Sequence, residues 1–207
     1  FIYMKDNYII IREAVSKELC EFIYEYFKLK RKGFELMLGE KLISPFIDYW
    51  GTFNDSQVED TYSCYGDPAM DSLLPKLKPL IEKTTDLKLY ETYTYARLYK
   101  NGDILERHKD RFSCEISATL HLGGTRWPIY VDNTGEKDKE GTRIDLNVGD
   151  MLLYKGEKIE HWRYALHGEE CGQVFLHYND ATHKDAEQNK FDGREFLGIP
   201  KCLQRKK

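Results

Sequence analysis

The segment Tyr99-Lys100-Asn101-Gly102-Asp103-Ile104-Leu105-Glu106-Arg107-His108-Lys109-Asp110 takes a strand end through a Gly102 turn into a second extended run. Ile116-Ser117-Ala118-Thr119-Leu120-His121-Leu122-Gly123-Gly124 follows it as an alternating strand closed by two glycines. Residues two apart on a strand share a face, so His108 and Asp110 are placed to grip one metal ion from one side. Val148-Gly149-Asp150-Met151-Leu152-Leu153-Tyr154 then has the pattern of a tight turn into an apolar strand, and His161 opens the next extended run. His161 is the expected third ligand. Two histidines and one carboxylate leave three adjacent positions open, the arrangement in which non-haem Fe(II) takes up a cosubstrate and then O2. A His-x-Asp/Glu triplet is by itself an expected coincidence in a chain this rich in carboxylates, and two others occur, His167-Gly168-Glu169 and His183-Lys184-Asp185. The first falls where a turn between strands is expected. The second has only a polar tail behind it and no later histidine to complete a set.

From about Leu87 to Asp180 the chain resembles the Fe(II)/2-oxoglutarate-dependent dioxygenases, and within them the prolyl 4-hydroxylase-like branch. The resemblance rests on Tyr99 to Asp110, the strand ending in Gly123-Gly124, the Gly149-Asp150 turn into Met151 to Tyr154, and His161. It implies a mainly β fold with flanking helices (α+β) around a double-stranded β-helix, or jelly-roll, core. It also implies Fe(II) held by His108, Asp110 and His161, 2-oxoglutarate and O2 as cosubstrates, ascorbate as a candidate accessory reductant, and release of succinate and CO2 as an unactivated C–H bond is hydroxylated. A peptidyl proline is the first substrate expectation and a free amino acid or other small molecule the alternative.

The chain departs from that pattern in one place. The far carboxylate of 2-oxoglutarate needs a buried cation, because an unpaired buried carboxylate is costly. Prolyl hydroxylases supply it from a Lys or Arg on the strand about ten residues beyond the distal histidine. Here that strand, Cys171-Gly172-Gln173-Val174-Phe175-Leu176-His177-Tyr178, contains neither. Arg163, two residues beyond His161 and on the same face, is the expected substitute, with Arg97 next. Tyr99, at the strand end before the Gly turn, and His121, where the family commonly places a hydrogen-bonding tyrosine, are expected to contact the cosubstrate; Gln173 and His177 are expected to complete the pocket. Substrate candidates are Arg111, beside the metal pair, Trp127 and Tyr130 after the glycine turn, and Trp50.

Thirty-one Lys and Arg stand against 35 Asp and Glu for a net charge of −4. With both signs interspersed, general nucleic-acid binding is not expected. A chain of 207 residues is of a size for a single domain: residues 1–86 as helical support and candidate lid, 87–180 as the core, 181–207 as a surface tail. No apolar run approaches a membrane span, and the odd set of Cys20, Cys64, Cys114, Cys171 and Cys202 lacks close metal-type spacing. A cytoplasmic, reducing setting is the expectation. The charged stretch Glu136 to Glu140 is expected to be a solvated hairpin tip.

Ser16 is a plausible N-cap for a helix carrying Leu19, Phe22, Ile23, Tyr26 and Phe27 on a core-facing stripe and ending near Gly33. A second helix starts at Asp67-Pro68, and Pro75 and Pro79 are expected to kink or split it. Between them, Ile47 to Tyr65 is a long aromatic loop, expected to lie over the metal. From Leu87 the period becomes two, with Leu89, Glu91, Tyr93, Tyr95, Arg97 and Tyr99 on one face. Two other classes remain open: a non-catalytic, cupin-like metal-binding module, and a Zn(II) hydrolase, for which no general base stands beside the ligands.

Overall fold

The computed structural model describes residue 4, residues 6–136 and residues 139–204. Lys137 and Asp138, inside the expected hairpin tip, and residues 205–207 of the tail lie outside the described residues. In chain order the elements are β1 (Tyr8–Ile11), α1 (Lys17–Gly39), β2 (Tyr62–Tyr65), α2 (Pro68–Asp71), α3 (Leu73–Thr85), β3 (Leu89–Lys100), β4 (Leu105–His108), β5 (Ile116–Gly124), β6 (Ile129–Asp132), β7 (Thr142–Ile144), β8 (Met151–Lys155), β9 (Glu160–Arg163) and β10 (Glu170–Asp180). The strands form two antiparallel sheets, one in the order β1-β8-β5-β10-β3-β2 and a smaller one in the order β4-β9-β6-β7. Ring contacts between Tyr154 and His161 and between Tyr99 and Trp127 join the facing sheets. This is the mainly β jelly-roll core with flanking helices expected from the sequence.

The period-two pattern of β3 sorts its residues between two environments. Ala96 and Leu98 join Ile116, Ala118, Leu120, Val174 and Leu176 of the neighbouring strands in the core beneath the helices. Tyr93, Tyr95 and Arg97 face the other way, into a cavity between the sheets. Helix α1 covers the outer face with Cys20, Ile23, Phe27 and Phe34. Phe22, expected on that stripe, is instead 69% exposed. The helix also passes through Gly33 to Gly39 rather than ending there. Phe34 is the reason: buried and packed on Phe53 and Tyr62, it offsets the ~1 kcal/mol that a mid-helix glycine costs. Tyr24 lies flat in a slot over Gly123 and Gly172, which are paired across β5 and β10; a Cβ at either would meet its ring at 2.6 Å.

The second helical region divides at Ser72, ahead of both prolines, and α3 runs through Pro79. Asp67 caps α2 through Ala69 and Met70, as its position before Pro68 suggests. The carboxy-terminal segment is fastened by charge more than by its apolar residues. Phe196 is exposed, whereas Arg194 is buried and pairs with buried Asp71 at 2.9 Å. Asp71 also accepts from Thr94 and from the Gly198 backbone N–H, so its oxygens are fully engaged.

Candidate active site

Antiparallel pairing of β4 with β9 sets His108 directly opposite His161. The chain leaves β4 and holds Asp110 by a backbone hydrogen bond from its N–H to the Gly156 carbonyl, 2.9 Å. One oxygen, Oδ1, lies 3.6 Å from Nε2 of both histidines, whose rings are 4.2 Å apart. Donor atoms of the three residues fall within 4.8 Å of one another. His108 Nδ1 lies 2.7 Å from the Glu106 carbonyl, which assigns the proton there and leaves the Nε2 lone pair facing Asp110. Gln57 donates to that lone pair at 3.0 Å. Burial pulls the pKa of His161 down to about 4 and, with the neighbouring His108 and Arg163, keeps it in the neutral form a metal requires, Asp110 opposing. Ser117 Oγ donates to the second oxygen of Asp110, Oδ2, at 2.9 Å.

The triad opens on a cavity of about 340 Å³ bordered by Tyr93, Tyr95, Arg97, Tyr154, Phe175 and His177 from the strands. Asp55 and Gln57 border it from the loop expected to lie over the metal. Arg97 is fastened to that loop: Nε and Nη2 reach Asp55 Oδ2 at 2.9 and 2.5 Å, and Nη2 also donates to Gln57. As a cosubstrate anchor Arg97 is therefore already spent on a carboxylate of its own chain. Arg111, at the rim, is held in the same way by Asp192, at 2.8 and 2.9 Å. Phe191 and Asp192 have left-handed backbone angles (φ 54 and 56), conformations that persist where surrounding bonds over-determine them; Tyr65 and Gln204 supply further bonds to Asp192.

Behind the triad lies Arg163, 1% exposed. Nη1 donates to the Trp127 carbonyl, while Nε and Nη2 are buried with no hydrogen-bond partner among the described residues. The guanidinium lies over the Trp127 ring, and burial lowers its pKa from the ordinary value. Tyr99 stands against the same tryptophan, with its hydroxyl accepting from Arg97 at 3.2 Å. Across the larger sheet, Gln173 is paired with His121 on one side and Arg97 on the other. Its amide Nε2 lies 3.0 Å from His121 Nδ1, and its Oε1 accepts from Thr119.

Three substrate candidates lie elsewhere. Trp50 borders an outer groove against α1, with Lys30 over its ring. Trp127 is buried beneath Arg163 with its indole N–H on the Tyr164 carbonyl. Tyr130 stacks on Trp162 and meets Tyr164 edge-on, outside the metal cavity. Side chains pack alternately on β6, and its inward positions are the apolar Ile129 and Val131. Asp55 and Gln57 within the loop, and Asp192 in the tail, carry no sequence signal that marks them as site residues. Tyr154 and Cys114 were legible only as a strand end and as one of five cysteines.

No family model matches this sequence, and no curated protein matches it. Among solved structures the chain is similar to a Pseudomonas putida prolyl-4-hydroxylase, with 15% identity and a TM-score of 0.58 over 84% of this chain and 92% of that one. It is similar to a Trichoplax adhaerens prolyl hydroxylase bound to a peptide fragment of a hypoxia inducible factor oxygen degradation domain (12%, TM-score 0.59, 85% and 84%). It is also similar to HygX from Streptomyces hygroscopicus with nickel, 2-oxoglutarate and hygromycin B bound (13%, TM-score 0.59, 92% of each chain). At these identities the likeness is one of fold: the chain has the architecture of the Fe(II)/2-oxoglutarate oxygenases, prolyl hydroxylases among them. No helix among the described residues is long and apolar enough to cross a membrane.

Proposed function

We propose that the protein is an Fe(II)- and 2-oxoglutarate-dependent oxygenase that hydroxylates an unactivated C–H bond, with His108, Asp110 and His161 as the metal ligands. The observation that carries this reading is the pair of nitrogens on buried Arg163 that have no partner among the described residues, two positions beyond His161 on β9. A buried guanidinium with no anion is costly, and the distal carboxylate of 2-oxoglutarate is an anion of the right charge and shape for its planar fork. The donor set fits the metal equally well: two neutral imidazoles and one carboxylate suit Fe(II) and leave adjacent positions free. When bound, the iron and 2-oxoglutarate supply the O2 activation that the reaction needs, with release of succinate and CO2. The protein's own residues bind and exclude. Arg163 pairs the distal carboxylate, with Tyr99 and His121 near its guanidinium and Gln173 bonded to His121, and Gln57 and Asp55, which line the cavity at the triad, shield the metal's open side from water.

The rim favours a compact polar substrate, an amino acid or other small molecule, over the extended proline peptide expected from the sequence. Arg97–Asp55 on one side and Arg111–Asp192 on the other draw the loop and the tail toward a cavity of only about 340 Å³ lined by charged and tyrosine side chains. Anaerobic addition of Fe(II) and then 2-oxoglutarate tests the cofactor reading. The weak visible charge-transfer band of the chelated keto acid is expected, and is lost in His161→Ala; in Arg163→Met it needs about 100-fold more 2-oxoglutarate, the loss expected when one member of a buried charge pair is removed. Iron binding without the band overturns the proposal in favour of a metal-binding module. Succinate release stimulated by amino acids but not by proline peptides supports the substrate class, and the reverse result restores the peptide.

A further inference from the structure

Asp110 stands between two sets of ligating atoms. Oδ1 serves the histidine pair, whereas Oδ2 accepts from Ser117 Oγ at 2.9 Å, and that hydroxyl is itself 2.9 Å from His177 Nδ1. Cys114 completes the second set: a thiol, an imidazole and a carboxylate oxygen from Cys114, His177 and Asp110 lie within 4.8 Å of one another. Cys114 and His177 come from different elements, the short helical turn Phe112–Cys114 and strand β10. Both border the cavity that exposes the triad, so an ion that reaches one set reaches the other. Tyr93 holds them in place, its hydroxyl 3.1 Å from the sulfur and its ring 4.6 Å from the His177 ring.

The hydroxylase reading gives no task to a thiol at this position. Its chemistry points elsewhere, because sulfur ligands select thiophilic ions where imidazole with carboxylate accommodates Fe(II). We propose that Asp110, Cys114 and His177 form a second cation site, selective for a thiophilic divalent ion such as Zn(II) or Cd(II), joined to the triad through the shared carboxylate. On binding, the Cys114 thiol releases its proton to solvent and a sulfur–metal bond forms. His177 and Asp110 donate lone pairs, water fills the remaining position, and no electron is transferred. An ion held there places a second double positive charge beside the Fe(II) position and competes for Asp110, so the site opposes iron loading.

Cadmium titration of the full chain tests this without using turnover, in proteins that all carry Cys202→Ser to remove the exposed thiol. A sulfur-to-cadmium ultraviolet band saturating at a single equivalent is expected, and it persists in His161→Ala, where the triad is broken. Adding Cys114→Ser abolishes the band, Cys171→Ser leaves it, and His177→Gln weakens binding by about tenfold or more. Survival of the band in Cys114→Ser, its loss in His161→Ala, or cadmium binding with no band each overturn the second site. Should Cys114→Ser fail to fold by circular dichroism, alkylation decides in the parent protein: cadmium protects Cys114 from a maleimide if the site exists, and unchanged labelling overturns it. Because His161→Ala removes the iron site and should leave this one, failure here and failure of the oxygenase reading are separate results.

Discussion

Arg163 holds a charge inside the barrel with two of its nitrogens unpartnered among the described residues, a poor arrangement for stability and a good one for binding. Stability and function should therefore separate on substitution. Arg163→Met keeps length and packing volume while removing the charge. We expect it to raise the stability of the ligand-free protein by about 1–3 kcal/mol, the range seen when buried charge gives way to apolar side chains, while 2-oxoglutarate binding collapses. Urea unfolding of the metal-free protein reads the first effect; a loss of stability would mean that packing of the guanidinium on Trp127 outweighs its charge. His121 gives a second residue-scale prediction. Burial, helped by the positive Arg163, lowers its pKa from 6.5 to about 4. The unfolded chain then binds a proton that the folded chain refuses, so stability present above pH 6.5 is lost as pH falls toward 4, at up to about 1.4 kcal/mol per pH unit from this group. His121→Asn, whose side-chain oxygen replaces Nδ1 beside Gln173, should flatten that part of the stability curve between pH 7 and 5.

Among the elements, the carboxy-terminal segment depends most on single long-range contacts. Arg194 and Asp71 are both buried and fully bonded, so Arg194→Ala leaves Asp71 as an uncompensated interior charge and is expected to cost about 3–5 kcal/mol. Asp192→Ala frees Arg111 at the rim and removes the bonds from Tyr65 and Gln204 that hold the left-handed turn, so it should loosen this segment without leaving an unpaired interior charge. Limited proteolysis grades the two, with cleavage within 185–204 expected in both and earlier in Arg194→Ala. Local pattern could not have foretold these ties. The convergence of His108, Asp110 and His161 was legible from strand periodicity and glycine turns, whereas the pairing of β4 with β9 that brings it about is a long-range feature that no local pattern carries. The burial of Arg163 beside His161 follows from their two-residue spacing on one strand. The Asp192–Arg111 and Asp71–Arg194 pairs span 81 and 123 positions, and charge pairs at such separations leave no periodic trace. Trp50, Trp127 and Tyr130 misled for a related reason: an aromatic near a turn has the same letter whether it lines a cavity or packs beneath its wall.

At the scale of the molecule, the site lies at an edge of the smaller sheet, where His161 meets Tyr154 of the larger one. Strand β4 is an edge strand whose partner in its sheet is β9, and the register slips between Leu105 and His108. Asp110, just beyond it, is bonded to Gly156 after β8 of the larger sheet. A metal ion bound by His108, Asp110 and His161 therefore staples this edge to its neighbour and to the opposite sheet at once. Metal binding should stabilise the whole fold by mass action, about 2.7 kcal/mol at a free concentration 100 times the dissociation constant, and the gain should be local in its structural reading. Hydrogen exchange at 105–110 and 160–163 is expected to slow on anaerobic addition of Fe(II), with α1 and the core beneath it unchanged below the global unfolding limit. Adding 2-oxoglutarate should then slow exchange at 127–130, because pairing Arg163 secures the Trp127 carbonyl to which it donates. Without metal the same addition should leave 105–110 unchanged, since the cosubstrate alone forms no link to β4. Protection that spreads evenly over both sheets, or that appears with 2-oxoglutarate alone at 105–110, would show that the triad does not join the sheets in this way.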